Sequence, residues 1–331
     1  MLAIALLEFL LAASVVIVAG TFLARAADHL AELTRLGRLL VGSVLLAGVT
    51  SLPELSVDVS AALRGLDDLA VGDLMGSSLA NLVILAVADL LTRSRGGMLS
   101  RAAALHALSG TTSAGLTALA GLMIVTRLEI SLDGIGVGSA VVFVAYLLAV
   151  RILFYDQRVA SKEAPPAVDE KTRLPGALRR AVLQFATAAL AILVAAPFVA
   201  RSAGTIAELS GLGNTFVGTT LVAMSTSLPE LVATLASVRM GAFDLAVANI
   251  FGSNAFNMAM LLPIDLVSTG PLLSRVSATH VTTSLWVVVI TAVAIVGQLY
   301  HVERRRRLIE PDALLVILLV IVALAMVYRQ G

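Results

Sequence analysis

Two six-residue stretches carry the unusual chemistry of this chain. Thr50-Ser51-Leu52-Pro53-Glu54-Leu55 returns as Thr226-Ser227-Leu228-Pro229-Glu230-Leu231. Each sets a carboxylate, two hydroxyls and a proline inside an apolar run. Both the carboxylate and the proline are costly in a bilayer unless protein, water or an ion satisfies them. Proline removes one backbone donor and crowds the carbonyl four residues back, near Val49. The helix is expected to open around Ala47–Pro53 and leave carbonyls free. Those carbonyls, the Thr50 and Ser51 hydroxyls and the Glu54 carboxylate make an oxygen-rich cluster. Hard cations such as Ca²⁺ and Na⁺ take ligands of this kind. Ser77 and Asn81 follow on the next apolar run; four apart, they share a helix face. Gly72 and Gly76, also four apart, are expected to let a neighbouring helix approach closely. The second half repeats the parts as Ala223, Thr226, Ser227 and Glu230, then Ser253 and Asn257.

The rest of the chain must hold these groups inside a membrane. Its 331 residues are 59% hydrophobic and 14% charged, with a mean hydropathy of +0.97. That is far more apolar than a soluble domain, so a polytopic membrane protein is expected and a soluble enzyme is excluded. A net charge of +1 implies no nucleic-acid partner. Without cysteine there is no disulfide framework and no thiolate metal site. The four histidines (His29, His106, His280 and His301) show no metal-ligand spacing. The first apolar run is long enough to span and has no basic residue before it, unlike a cleavable signal peptide.

Ten spans are expected, at roughly 2–24, 37–63, 67–91, 103–126, 133–155, 177–202, 212–238, 243–267, 279–300 and 311–328. The polar stretch 156–176 reads as a cytoplasmic linker between halves 1–155 and 177–331. Its acids Asp156, Glu163, Asp169 and Glu170 read as a solvated face. With alternating spans, 18 of the 23 basic residues fall on one side. The positive-inside rule makes that side cytoplasmic and places both termini outside. The Arg304–Arg307 run belongs to this topogenic charge. A multi-pass protein of the plasma (inner) membrane follows.

Self-comparison strengthens the division. Val41–Leu85 and Val217–Leu261 share 19 identities in 45 positions without a gap, at an offset of 176. The repeated positions include Thr, Ser, Glu and Asn, which packing alone would not require. Five spans per half is an odd number, so the second half enters the membrane from the opposite side. The expected fold is all-α, with ten transmembrane helices in two inverted five-helix repeats, an arrangement typical of secondary transporters. The two clusters should then meet near the midplane. Two glutamates together offset about two positive charges, matching one Ca²⁺ or two Na⁺.

Thr-Ser-Leu-Pro-Glu followed by Gly-Ser-x-x-x-Asn, present twice, resembles the α-repeats of the sodium/calcium exchanger branch of the calcium/cation antiporter superfamily. The resemblance covers essentially the whole chain. It implies ion ligands at Thr50, Ser51, Glu54, Ser77 and Asn81, and at Thr226, Ser227, Glu230, Ser253 and Asn257. It further implies backbone carbonyl ligands at Ala47 and Ala223. The chain departs from the family pattern at Val49 and Ser225, where the family usually has Gly. Ser78 replaces the commoner Asn, whereas Asn254 keeps it. Many members of the branch carry Asp where this chain has Asn257.

The expected function is Ca²⁺/Na⁺ antiport by alternating access, with the ions as cargo and no resident cofactor. The alternative is H⁺/Ca²⁺ antiport, to which Asp58 and Asp73 would suit. An intramembrane aspartyl protease is a remote third reading. Val71-Gly72-Asp73 is similar to Gly-x-Gly-Asp, but Tyr155-Asp156 follows it instead of preceding it. A passive channel is disfavoured by the inverted repeats. Asp68 and Asp244 are expected to start helices and complement their dipoles. The sequence carries no signal of oligomeric state.

Overall fold

The computed structural model describes residues 1–91, 103–163, 176–210, 224–299 and 311–330. It is an all-α polytopic membrane fold. Its helices are α1 (Leu2–Thr34), α2 (Gly37–Thr50), α3 (Leu52–Ala62), α4 (Asp67–Leu91), α5 (Ala103–Thr126) and α6 (Val137–Glu163). The second half follows with α7 (Ala177–Leu209), α8 (Leu228–Arg239), α9 (Phe243–Val267), α10 (Leu272–Arg275), α11 (Thr279–Leu299) and α12 (Pro311–Gln330). Seven of these are long and apolar enough to cross a membrane, and α2 with α3 makes an eighth span bent by 45°. Of the ten expected spans, the other two fall on α8, whose preceding residues 211–223 lie outside the described ones, and on the shorter apolar α12.

Helix starts agree with the apolar runs, whereas several ends run on. α1 continues to Thr34 and α6 to Glu163, into the expected linker. Hydropathy stops at the first charges, but backbone hydrogen bonding continues wherever polar side chains can reach water. Only the later part of that linker, 164–175, lies outside the described residues, as does Arg304–Arg307. One element was not expected. A two-stranded hairpin, β1 (Ser131–Leu132) with β2 (Ile135–Gly136), precedes α6. Its turn residues Asp133 and Gly134 both have positive φ, as a type I′ turn needs.

α9 lies at the centre: its most apolar window is 83% buried, against 22% for α1. α4, α5, α6 and the α2–α3 pair pack around it. α1 and α7 pair with each other, their small residues Ala19, Ala27, Ala188, Ala195 and Ala196 in one core with Val16 and Leu23. The close backbone approach expected at Gly72 and Gly76 is made elsewhere. A side chain at Gly72 would meet only the His280 ring, and one at Gly76 would meet nothing. It is Gly252 of α9 that lies against the Ser43 backbone of α2, with Gly42 against Ala248 and the Leu245 carbonyl.

Candidate functional site

Pro53 stands at the first turn of α3, where its missing N–H would be unbonded anyway. Span 2 therefore bends at Ser51 instead of unwinding. Ser51 N–H still reaches the Ala47 carbonyl at 3.1 Å, and the Thr50 hydroxyl donates to the same oxygen at 3.2 Å. The Ala47 carbonyl thus has both lone pairs engaged in this structure. The larger irregularity lies upstream, a π-turn over Val41–Leu46 facing Gly252. Such turns often stand at functional sites. Ala223 lies outside the described residues.

The bend sets Glu54 into the protein interior, and the same construction at Pro229 does so for Glu230; both are fully buried. Each carboxylate is held by the other half's serine. Ser51 donates to Glu230 at 3.0 Å, and Ser227 donates to Glu54 at 3.1 Å. The two bonds are equivalent under the 176-residue offset, so the two motifs meet about a local two-fold. Thr50 and Thr226 are buried beside them. No cationic side chain pairs with either glutamate among the described residues; the ion pairs lie elsewhere.

α4 and α9 supply the rest. Ser77, Asn81, Ser253 and Asn257 are all fully buried. Asn81 gives its NH₂ to the Asn254 side-chain oxygen at 2.9 Å, and Asn257 points its NH₂ at the Leu74 carbonyl at 3.4 Å. In both amides the oxygen is left without a partner. Besides those of Asp58, Asp73, Asn249 and Asp265, the unpartnered buried oxygens on these helices are one from each of Glu54, Glu230, Ser77, Ser253, Asn81 and Asn257. These last six form three pairs, each related by the offset of 176. Buried polar atoms in a native protein are almost always bonded, so three such repeat-related pairs point to something they bind.

Asp58 lies one turn beyond Glu54, within hydrogen-bonding reach of Asp73 on α4. Their counterparts are Thr234 and Asn249, also bonded to each other, at 3.1 Å. The halves are thus alike in geometry here and unlike in charge.

Two of the four histidines are paired with carboxylates. His106 meets Asp244 at 2.9 Å and His280 meets Asp68 at 3.0 Å. Each bridge joins one half to the other. Asp68 and Asp244 do stand in the first turns of α4 and α9, but neither acts as an N-cap. Asp68 instead accepts from Ser277 N–H at 2.6 Å. Asp265, not singled out from the sequence, is a buried carboxylate facing the backbone N–H groups of Gly136 and Leu272. Nothing in its spacing marks it, because its partners are backbone N–H groups, one of them 129 residues away.

Comparison with known proteins follows the same lines. The family model for the sodium/calcium exchanger protein matches residues 4–155 and 180–329. The inner membrane protein YrbG of Escherichia coli (strain K12) is 30% identical over 241 residues, 70% of each chain. The putative antiporter CaxA of Alkalimonas amylolytica is 27% identical over 244 residues, 73% of each chain. A solved structure of the sodium-calcium exchanger NCX_Mj, soaked with 10 mM Na⁺ and zero Ca²⁺, superposes with a TM-score of 0.71. It is 18% identical, and the match covers 98% of this chain and 99% of that one, which is a likeness of fold. The family match takes in both motif copies and all but the linker and the extreme ends, so the chain belongs to the sodium/calcium exchanger protein family and is, at that level, a cation antiporter.

Proposed function

We propose that this protein exchanges Ca²⁺ for Na⁺ across the plasma (inner) membrane by alternating access. The observation that carries the reading is the set of six unpartnered oxygens, two of them from carboxylates. Ca²⁺ takes six to eight oxygen ligands. Two carboxylates buried without a cationic side chain need about two positive charges, from one Ca²⁺ or two Na⁺. Competition for one set of ligands couples the two fluxes. Thr50, Ser51, Thr226 and Ser227 border the site and supply further hydroxyl oxygens. Another relative supports the choice of ions: the sodium/calcium exchanger MaX1 of Methanosarcina acetivorans is 37% identical over 93 residues.

The halves 1–155 and 177–331 act as inverted repeats of five spans each, joined by the cytoplasmic link 156–176. Both termini lie outside. The reciprocal Ser51–Glu230 and Ser227–Glu54 bonds support this arrangement. α1 and α7, paired with each other at the periphery, slide against the core to open one side at a time. The test is ⁴⁵Ca²⁺ flux in proteoliposomes, with Na⁺ and H⁺ gradients imposed separately. An outward Na⁺ gradient is expected to drive Ca²⁺ uptake at neutral pH on both sides. Uptake indifferent to Na⁺ would sink the proposal.

One observation favours H⁺/Ca²⁺ exchange as a second reading. Asp58 stands beside Asp73, and two adjacent carboxylates in a membrane interior are suited to take up and release a proton. Under that reading a pH gradient drives uptake in Na⁺-free buffer, and Asp58→Asn abolishes it. Under the Na⁺ reading Asp58→Asn leaves Na⁺-driven uptake within roughly threefold of native, because Asp58 is absent from the other half, where Thr234 stands.

A further inference from the structure

Asn254 is fully buried and is not among the expected ligands. Its amide is engaged at both ends. Its NH₂ donates to the Ser78 backbone carbonyl at 3.1 Å, and its oxygen accepts the Asn81 NH₂ at 2.9 Å. Its oxygen is thereby committed to Asn81. We propose that Asn254 is a positioning residue that turns the carbonyl oxygen of Asn81, and not its NH₂, toward the ion.

The order of donors and acceptors leaves one solution. A backbone carbonyl can only accept, so Asn254 must present its NH₂ to Ser78. Its oxygen then faces Asn81. An oxygen can only accept, so Asn81 must present its NH₂ in turn. A flipped Asn81 would set two oxygens against each other and aim two N–H donors at a cation. The fixed point of the chain is the α4 backbone, which carries Asn81 itself one turn further on.

The other half is built differently. The position equivalent to Asn254 is Ser78, whose hydroxyl donates to the Leu74 carbonyl at 2.9 Å. Asn257 is held by that same carbonyl at 3.4 Å and by the Ser78 oxygen at 3.5 Å. Both contacts are longer than the 2.9 Å bond on Asn81. Asn81 is locked by a side chain made for it, and Asn257 is held more loosely. Substitution at Asn254 should therefore act through Asn81 alone.

This inference rests on the oxygen site binding Ca²⁺. The experiment is a double-mutant cycle on Na⁺-driven ⁴⁵Ca²⁺ uptake, with Asn81→Ala, Asn254→Leu and both together. Asn254→Leu keeps the volume and removes both hydrogen bonds. It is expected to raise the KM for Ca²⁺ roughly tenfold while the maximal rate changes less, the effect of misdirecting one ligand. Asn81→Ala should do the same, and the double variant should be no worse than Asn81→Ala alone. Asn254→Ala, which removes the same two bonds, replaces the leucine variant if that does not fold. Additive effects would show that Asn254 acts on packing generally, and would overturn the positioning role while leaving the ion site intact. No change in KM from Asn81→Ala would overturn the ion-site reading, and the positioning role with it.

Discussion

Replacing Glu54 by Gln should abolish Na⁺-driven Ca²⁺ uptake, and Glu230→Gln should do the same. Glutamine keeps the shape and an oxygen but halves the charge facing a divalent cation. Removing one partner of a buried charge pair costs about 3–5 kcal/mol, which is a loss of roughly a hundredfold or more in affinity. Neither glutamate has a substitute, since both are fully buried and Asn81 and Asn257 are neutral. Folding should survive, because the empty site of the native protein already carries two close carboxylates and each variant removes one. The measurement is twofold. Flux should fall to background, and the rise in thermal stability that saturating Ca²⁺ gives the native protein should vanish. Stabilisation by Ca²⁺ retained in Glu54→Gln would show that the ion binds elsewhere. Ser51→Ala and Ser227→Ala should be milder, because each removes one neutral donor to a carboxylate that keeps its charge.

Gly252→Ala should be severely destabilising, and Gly252→Val should prevent folding. A side chain at Gly252 would overlap the backbone of Ser43, including its carbonyl carbon at 2.7 Å. Neither partner can yield, since one is backbone of the central helix and the other backbone of a π-turn. Overpacking at flexible side chains costs about 1–3 kcal/mol, and a clash between two backbones should exceed that. Ser253 is the next residue, so any displacement also moves a ligand oxygen. Gly48→Ala is the control. Its nearest neighbour is the Phe256 ring at 3.7 Å, ordinary contact, and it should retain native melting temperature within a few degrees. A Gly252→Ala protein as stable as native would refute the close crossing of α2 and α9.

The sequence alone determined the membrane class and the internal repeat, and it marked ten polar residues that the structure buries. It could do so because the bilayer is a strict solvent. A twenty-residue apolar run announces a span, and a carboxylate within one needs a partner. An offset of 176 then linked Glu54 with Glu230, Ser77 with Ser253 and Asn81 with Asn257 without any coordinates. What the sequence misjudged depends on where backbone meets backbone. Gly72 and Gly252 look alike as letters, yet only Gly252 faces another helix's main chain. Pro53 reads as a break, but a proline in the first turn of a new helix bends the span and leaves the Ala47 carbonyl bonded. The histidine bridges and the Asp265–Gly136 contact join residues more than a hundred apart at no regular spacing. The direction of each amide was decided only by the tertiary structure. An asparagine offers a donor and an acceptor equally, and it took the fixed carbonyls of Ser78 and Leu74 to decide that the oxygens of Asn81 and Asn257, and not their NH₂ groups, are left unpartnered.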